Sequence, residues 1–169
     1  WTLAQHLDIA RLLLVSPPDE GATTIISKHD AKRAVTEVVI SAMDRPGLFA
    51  MLTGAITLAG ATIVGAKIFT LTDGRAVDIF HIQDITGAAF DRPNKLAKIA
   101  VYVEQALAGE LDLKSALAGR AKPYEASIPS IAHTPSAVFI ENNASNVCSV
   151  IEISCRDRVG LLYDIASTI

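Results

Sequence analysis

Five consecutive residues, Asp44-Arg45-Pro46-Gly47-Leu48, put a carboxylate, a guanidinium and two turn-forming residues into one short loop. Most of that loop returns as Asp157-Arg158-Val159-Gly160-Leu161. The first copy leaves a strand and enters a helix, where unpaired backbone N–H groups and the helix dipole favour an anion. Gly47 lets a ligand come close to the backbone, and Asp44 is placed to pair with an ammonium group. The loop therefore offers complementary partners for an α-amino acid. A plainer reading is also open, in which Asp44 caps the helix and Arg45 is solvated. Residue chemistry alone favours the plainer one.

The flanking sequence says which elements hold the loop. Thr36, Val38, Ile40 and Ala42 alternate with Glu37, Val39, Ser41 and Met43, the period of a strand. After the loop, Leu48, Met51, Leu52, Ala55, Ile56 and Ala59 recur at helical spacing, and Gly60 ends the helix. Residues 61–71 and 76–84 read as two strands joined by a hairpin at Asp73-Gly74. Asp91 near an N-cap and Pro93 in the first turn then open a helix carrying Leu96, Ile99, Val103, Ala106 and Leu107, which Gly109 ends. A short helix over 111–117, a Pro-containing loop over 118–135 and a fourth strand over 137–142 follow. The order β-α-β-β-α-β predicts an α+β, ferredoxin-like unit with an antiparallel sheet and two helices on one face. A further strand over 147–156 and the second loop then begin a repeat, in which Ile153 and Ser154 fall on Ile40 and Ser41 without gaps. Val159 replaces Pro46 there, which predicts a weaker turn.

The words TEVVISAMDRPGLFA, AKIFTLTDGRAVDIFHIQD and VIEISCRDRVGLLYDIAST resemble the ACT domain, a small amino-acid-sensing regulatory module. The tandem copies and the leading 1–14 helix are similar to the C-terminal region of the bifunctional uridylyltransferase/uridylyl-removing enzymes. The resemblance implies a linker helix and loop over 1–33, a first ACT domain over 34–143 and the truncated start of a second over 147–169. It further implies regulation by an amino acid, with glutamine expected, in a parent that uridylylates and deuridylylates the PII nitrogen-regulatory signal protein. Ligand-binding residues carried over are Asp44, Arg45, Pro46, Gly47 and Leu48, with Asp157, Arg158, Gly160 and Leu161 as counterparts. Asp44 would meet the amino group, and the backbone at Gly47 and Leu48 the carboxylate. The parent's nucleotidyltransferase and metal-dependent hydrolase domains would lie before Trp1, with Mg2+ as its cofactor. No cofactor and no metal are expected in this chain. The alternatives are an ACT tail of another metabolic enzyme sensing a different amino acid, and a non-binding module that forms a homodimer through its sheet edges.

Composition agrees with a globular chain of one or two small domains. Of 169 residues, half are hydrophobic and a fifth charged. A net charge of −3 without a long basic run argues against nucleic acid as a partner. The absence of a long apolar run argues against a membrane span, and the cytoplasm is the expected location. Beginning at Trp1 and ending at Ile169 inside helical patterns, the chain reads as a piece of a longer polypeptide. Cys148 and Cys155 lack zinc-type spacing, and Cys155 reads as a small buried strand residue. His6 and His29 lie far apart in different elements and do not read as metal ligands, His133 reads as solvated, and His81 as a half-exposed strand residue. Gly54, Gly60 and Gly65 are too scattered to cradle phosphate, and Lys114, Arg120 and Lys122 read as a solvated loop face. Without a nucleophile elbow, P-loop, dinucleotide fingerprint or HExxH, no catalytic residue is expected in this chain.

Overall fold

The computed structural model describes residues 23–125 and 135–169. The helix expected over 1–14, its following linker, His6 and His133 lie outside the described residues.

The alternating stretch forms strand β2 (Val35–Met43). Its outer neighbour is β1 (Thr24–Asp30), reached through a tight turn. There Asp30 Oδ1 accepts from the N–H groups of Lys32 at 3.1 Å and Arg33 at 3.2 Å, and Ala34 adopts φ 52°. On the inner side β2 pairs with β4 (Arg75–Gln83), which pairs in turn with β3 (Thr62–Thr70). The sheet order is β1-β2-β4-β3, with every pair antiparallel.

Helix α1 (Leu48–Leu58) carries the chain from β2 to β3, and α2 (Pro93–Leu107) follows β4. Both lie on one face of the sheet. Val38, Ile40 and Ala42 of β2 and Ala76, Phe80 and Ile82 of β4 pack there against Leu52, Ile56, Ile99 and Val103. Each large apolar side chain so buried is worth about 1.5–3 kcal/mol relative to exposure, and this face carries most of them. Val39, Val77 and Ile79 form a smaller cluster on the opposite face. The end of α1 is closed as Gly60 predicts: Gly60 takes φ 92° and its N–H reaches Thr57 O at 2.9 Å, while Ala61 N–H reaches Ile56 O at 3.3 Å. Arg92, not Asp91, is the N-cap of α2, and Pro93 occupies its first turn without a side-chain cap.

The architecture is α+β and ferredoxin-like, consistent with an ACT repeat. One strand is placed differently from expectation. The sheet is completed by Thr24–Asp30 rather than by residues 137–142. β1 holds the edge beside β2, the position that the last strand of the β-α-β-β-α-β order would take. A hairpin closed over a few residues costs little chain entropy, whereas a return from beyond α2 closes a long loop. Residues Ala137–Glu141 form β5, which pairs with β6 (Val150–Ser154) in a separate two-stranded sheet. That pairing copies the first hairpin. Thr24↔Ser41 recurs as Ala137↔Ser154, and Lys28↔Glu37 as Glu141↔Val150.

Helix α3 (Leu113–Glu125) runs through Gly119 into the stretch expected to be loop. Asp112 caps it, accepting from Ser115 N–H at 3.1 Å and from Ser115 Oγ at 2.6 Å. Leu113 and Leu117 are buried with Leu58 and Ala106. This packing offsets the roughly 1 kcal/mol that a helical glycine costs. Helix α4 (Leu161–Ala166) of the repeat joins the same cluster through Tyr163. Gly54 of α1 is where they meet: a Cβ there would lie 2.9 Å from both Leu113 and Tyr163.

Candidate functional site

The loop after β2 is a turn whose shape comes from glycine. Leu48 N–H donates to Arg45 O at 3.1 Å, and Gly47 takes φ 78°, ψ 3°. That is the third position of a type II turn, which favours glycine because φ is positive, and Pro46 precedes it as such turns prefer. Gly47 is also the N-cap of α1, and no side chain caps this helix. Asp44 is therefore not the cap. Its carboxylate accepts from Thr70 Oγ1 of β3 at 3.1 Å, and its N–H donates to Gly74 O at 3.0 Å, tying the loop to the β3–β4 hairpin. Nor is Arg45 only solvated. It donates to Leu107 O at the negative end of α2 at 2.6 Å, with Met51 Sδ at 3.5 Å. Leu48 N–H, expected to face a ligand, is engaged within the turn. Phe49 and Ala50 complete the first turn of α1, where no preceding-turn carbonyl exists for their N–H groups.

On the Arg45 side lies a cleft of about 400 Å³ between β2 and the end of α2. Arg45 and Glu104 bring opposite charges to it, with Met43 and Leu107 as apolar walls. On the Asp44 side lies Asp78 of β4. It shares the helix-facing phase of Ala76 and Phe80, is 1% exposed, and its Oδ1 has no hydrogen-bond partner. Burial, aided by the nearby charge of Asp44, pushes its carboxyl up to about 7. Neither Asp78 nor Glu104 was expected from the sequence. Glu104 carries no local signal on an amphipathic helix. Asp78 does: it is a carboxylate on the apolar phase of a strand.

The second loop has the same geometry. Gly160 takes φ 80°, ψ 4°, and Leu161 N–H donates to Arg158 O at 3.2 Å. Val159 in place of Pro46 leaves the shape of the turn unchanged, because the glycine sets it. Arg158 pairs with Asp164 on its own helix, at the position where the first copy has Met51. The two arginines are held differently. His81 is buried rather than half-exposed, and its Nε2 lies 3.3 Å from Oε2 of Glu37, its partner across β2 and β4 on the face away from the loop. Cys155 lies just past β6 and is only partly buried, not inside a strand. His29 is exposed on the edge strand, and Lys114 is exposed on α3 rather than on a loop. No helix of the described residues is long and apolar enough to cross a membrane.

Fold and loop together define a class: a ferredoxin-like α+β unit followed by a second hairpin and helix, the two sharing a glycine-shaped strand-to-helix turn. Comparison with known proteins narrows it. The chain is 46% identical over 157 residues to a bifunctional uridylyltransferase/uridylyl-removing enzyme of Azospirillum brasilense, covering 92% of this chain. It is 43% identical over 169 residues to the enzyme of that name from Caulobacter vibrioides, and 38% over 160 residues to that of Gluconobacter oxydans, covering 99% and 95% of the chain. The chain spans 17% of the length of each of these relatives. It belongs to the family of bifunctional uridylyltransferase/uridylyl-removing enzymes, as the homologue of that segment. No protein-family model and no solved structure gives a significant match.

Proposed function

We propose that this chain is the amino-acid-sensing regulatory part of a bifunctional uridylyltransferase/uridylyl-removing enzyme, and that its ligand is L-glutamine. The parent's partner is the PII signal protein, onto which it adds uridylyl groups and from which it removes them. The observation that carries the reading is the Asp44–Leu48 turn. It brings a carboxylate, a helix N-terminus and a closely approachable backbone together at one point. These are the elements that meet an ammonium and a carboxylate on one carbon. The relatives' shared name supplies the parent. A ligand there can regulate only by binding one arrangement of the repeats better than another. α4 of the second unit rests on α1, so the loop that would hold the ligand leads directly into the helix joining the two units.

Magnesium would serve the parent's chemistry from residues outside this segment. Among the described residues, no group of three or more His, Cys, Asp or Glu could hold a metal ion. Asp157, Arg158, Gly160 and Leu161 form the matching site of the second unit.

The test is calorimetric titration of L-glutamine, with L-glutamate and uridine nucleotides as controls. Asp44→Ala is expected to weaken glutamine at least tenfold, consistent with loss of a charge-assisted contact. Unchanged affinity in that variant would remove Asp44 from the site. An assembly role is favoured by a different observation: Val64 and Ile68 are each 52% exposed on outer strand β3. A stable dimer that binds none of these ligands would support that role instead.

A further inference from the structure

Asp78 is an ionisable group without a visible purpose in the fold. It sits in the middle of β4, between Ile40 of β2 and Ile68 of β3, on the face covered by α1. An apolar side chain there would fit its neighbours better, because a buried carboxylate without partners is costly whether charged or neutral. Its Oδ1 accepts nothing and donates to nothing. Among the described residues, the surroundings offer no cation. α1 carries no charged residue, and Ile40, Ala42, Ile68 and Thr70 on the same face of β2 and β3 are uncharged. Glu37, Lys67 and His81 belong to the opposite phase of their strands. Arg45 is turned to the Leu107 carbonyl, and Arg75 is held by Asp73 at 2.7 Å. Among the described residues, the ionisable group facing Asp78 is a like charge, that of Asp44 in the loop. Ile68 is half-exposed and Thr70 exposed beside it. Thr70, two residues along β3 from Ile68, donates to the Asp44 carboxylate at 3.1 Å.

The geometry points to Asp78 as the inner carboxylate of a two-acid ammonium subsite, with Asp44 as its outer member. The site so formed takes the α-ammonium of an amino acid. This rests on the amino-acid reading of the loop and adds the residue that ties binding to proton exchange. Below about pH 7 Asp78 holds a proton in the empty site, since burial and the charge of Asp44 both disfavour its ionised form. An arriving ammonium reverses that preference. The carboxyl gives its proton to solvent buffer and the ligand's positive charge takes its place. Binding is then favoured as pH rises towards about 7, because less free energy is spent on expelling the proton. The amino group, not the side-chain amide, is what this subsite reads.

The experiment is calorimetric titration of L-glutamine into the full chain between pH 5.5 and 7.5, in buffers of different ionisation heat, so that protons released are counted. Glutaramate, which lacks only the α-amino group, is the control ligand. The expected result is release approaching one proton per glutamine at the acid end and shrinking towards the alkaline end. Affinity should rise by up to about tenfold per pH unit across the lower part of the range. Asp78→Asn should abolish both trends, and glutaramate should show neither. The proton count on the unaltered chain decides the matter even where the variant folds poorly. Glutamine binding without proton release and with flat pH dependence would overturn the role of Asp78 and leave the sensor reading standing. A chain that binds no glutamine at any pH would overturn the sensor reading itself, and the ammonium subsite with it.

Discussion

At the scale of residues, the loop is governed by one glycine and two carboxylates. Gly47 and Gly160 share φ and ψ within a few degrees although Pro46 is replaced by Val159, so the shape belongs to the glycine. Asp44 reads as a helix cap from its position but is drawn off by Thr70 and Gly74. This was not legible in the sequence, because both partners come from a hairpin more than twenty positions away. Asp78 makes a prediction independent of any ligand. Its carboxyl, ordinarily at 3.8, is pushed up to about 7 in the fold. Across that window the folded chain keeps a proton that the unfolded chain has lost, so its contribution is present at low pH and falls as pH rises. Relative to Asp78→Asn, the unaltered chain should lose stability on going from pH 4.5 to pH 7, with a slope of up to about 1.4 kcal/mol per pH unit. Denaturant unfolding of both proteins across this range checks it. Parallel curves would mean that Asp78 is solvated or paired in the folded chain.

Among the elements, the clearest contrast is between what periodicity shows and what it does not. β2, α1, β3, β4 and α2 all stand where alternation and helical spacing put them. The hairpin at Asp73-Gly74 does too, with Gly74 at φ 84°. β1 was missed because Lys28, His29 and Asp30 break its apolar pattern. An edge strand tolerates such residues, since part of it faces water. The full extent of α3 was missed for a different reason. Gly119 reads as a stop, and only burial of Leu113 and Leu117 against α1 and α2 carries the helix through it. Contact between units is equally hidden in sequence. It depends on Gly54, whose missing side chain admits Leu113 and Tyr163. Gly54→Leu should overpack this meeting point and destabilise the chain by about 1–3 kcal/mol. Amide hydrogen exchange should report the loss in 113–117 and 161–166 first, with the strands of the main sheet still protected. Equal loss everywhere would mean that α4 does not dock as a separate step.

For the whole molecule, the position of β1 moves the start of the repeated unit. The β1–β2 and β5–β6 hairpins share one register, and each leads into a glycine-capped helix. We therefore place the beginning of each unit at its first hairpin strand, near Thr24 and near Ala137, rather than at 34 and 147. A chain begun at Val35 would lack the partner of β2 and expose its backbone from Val35 to Ser41 as an open edge. Such an edge pairs readily with another chain. That shortened chain should self-associate or precipitate, whereas one begun upstream of Thr23 should not; light scattering after size-exclusion chromatography separates the outcomes. Equivalent monomers would show that β1 is dispensable.

The early place of β1 also bears on how this polypeptide comes off the ribosome. In a ferredoxin-like chain whose edge strand comes last, the sheet stays open until the final segment is synthesised. Here all four strands lie between Thr24 and Gln83, ahead of α2 and of everything that follows. As Phe90 and α2 emerge they meet a sheet with no unpaired inner strand, and they only have to cover it. Vectorial synthesis thus delivers a closed platform first and the second unit's helix afterwards, an order that shortens the time during which sticky backbone is on offer to neighbouring nascent chains.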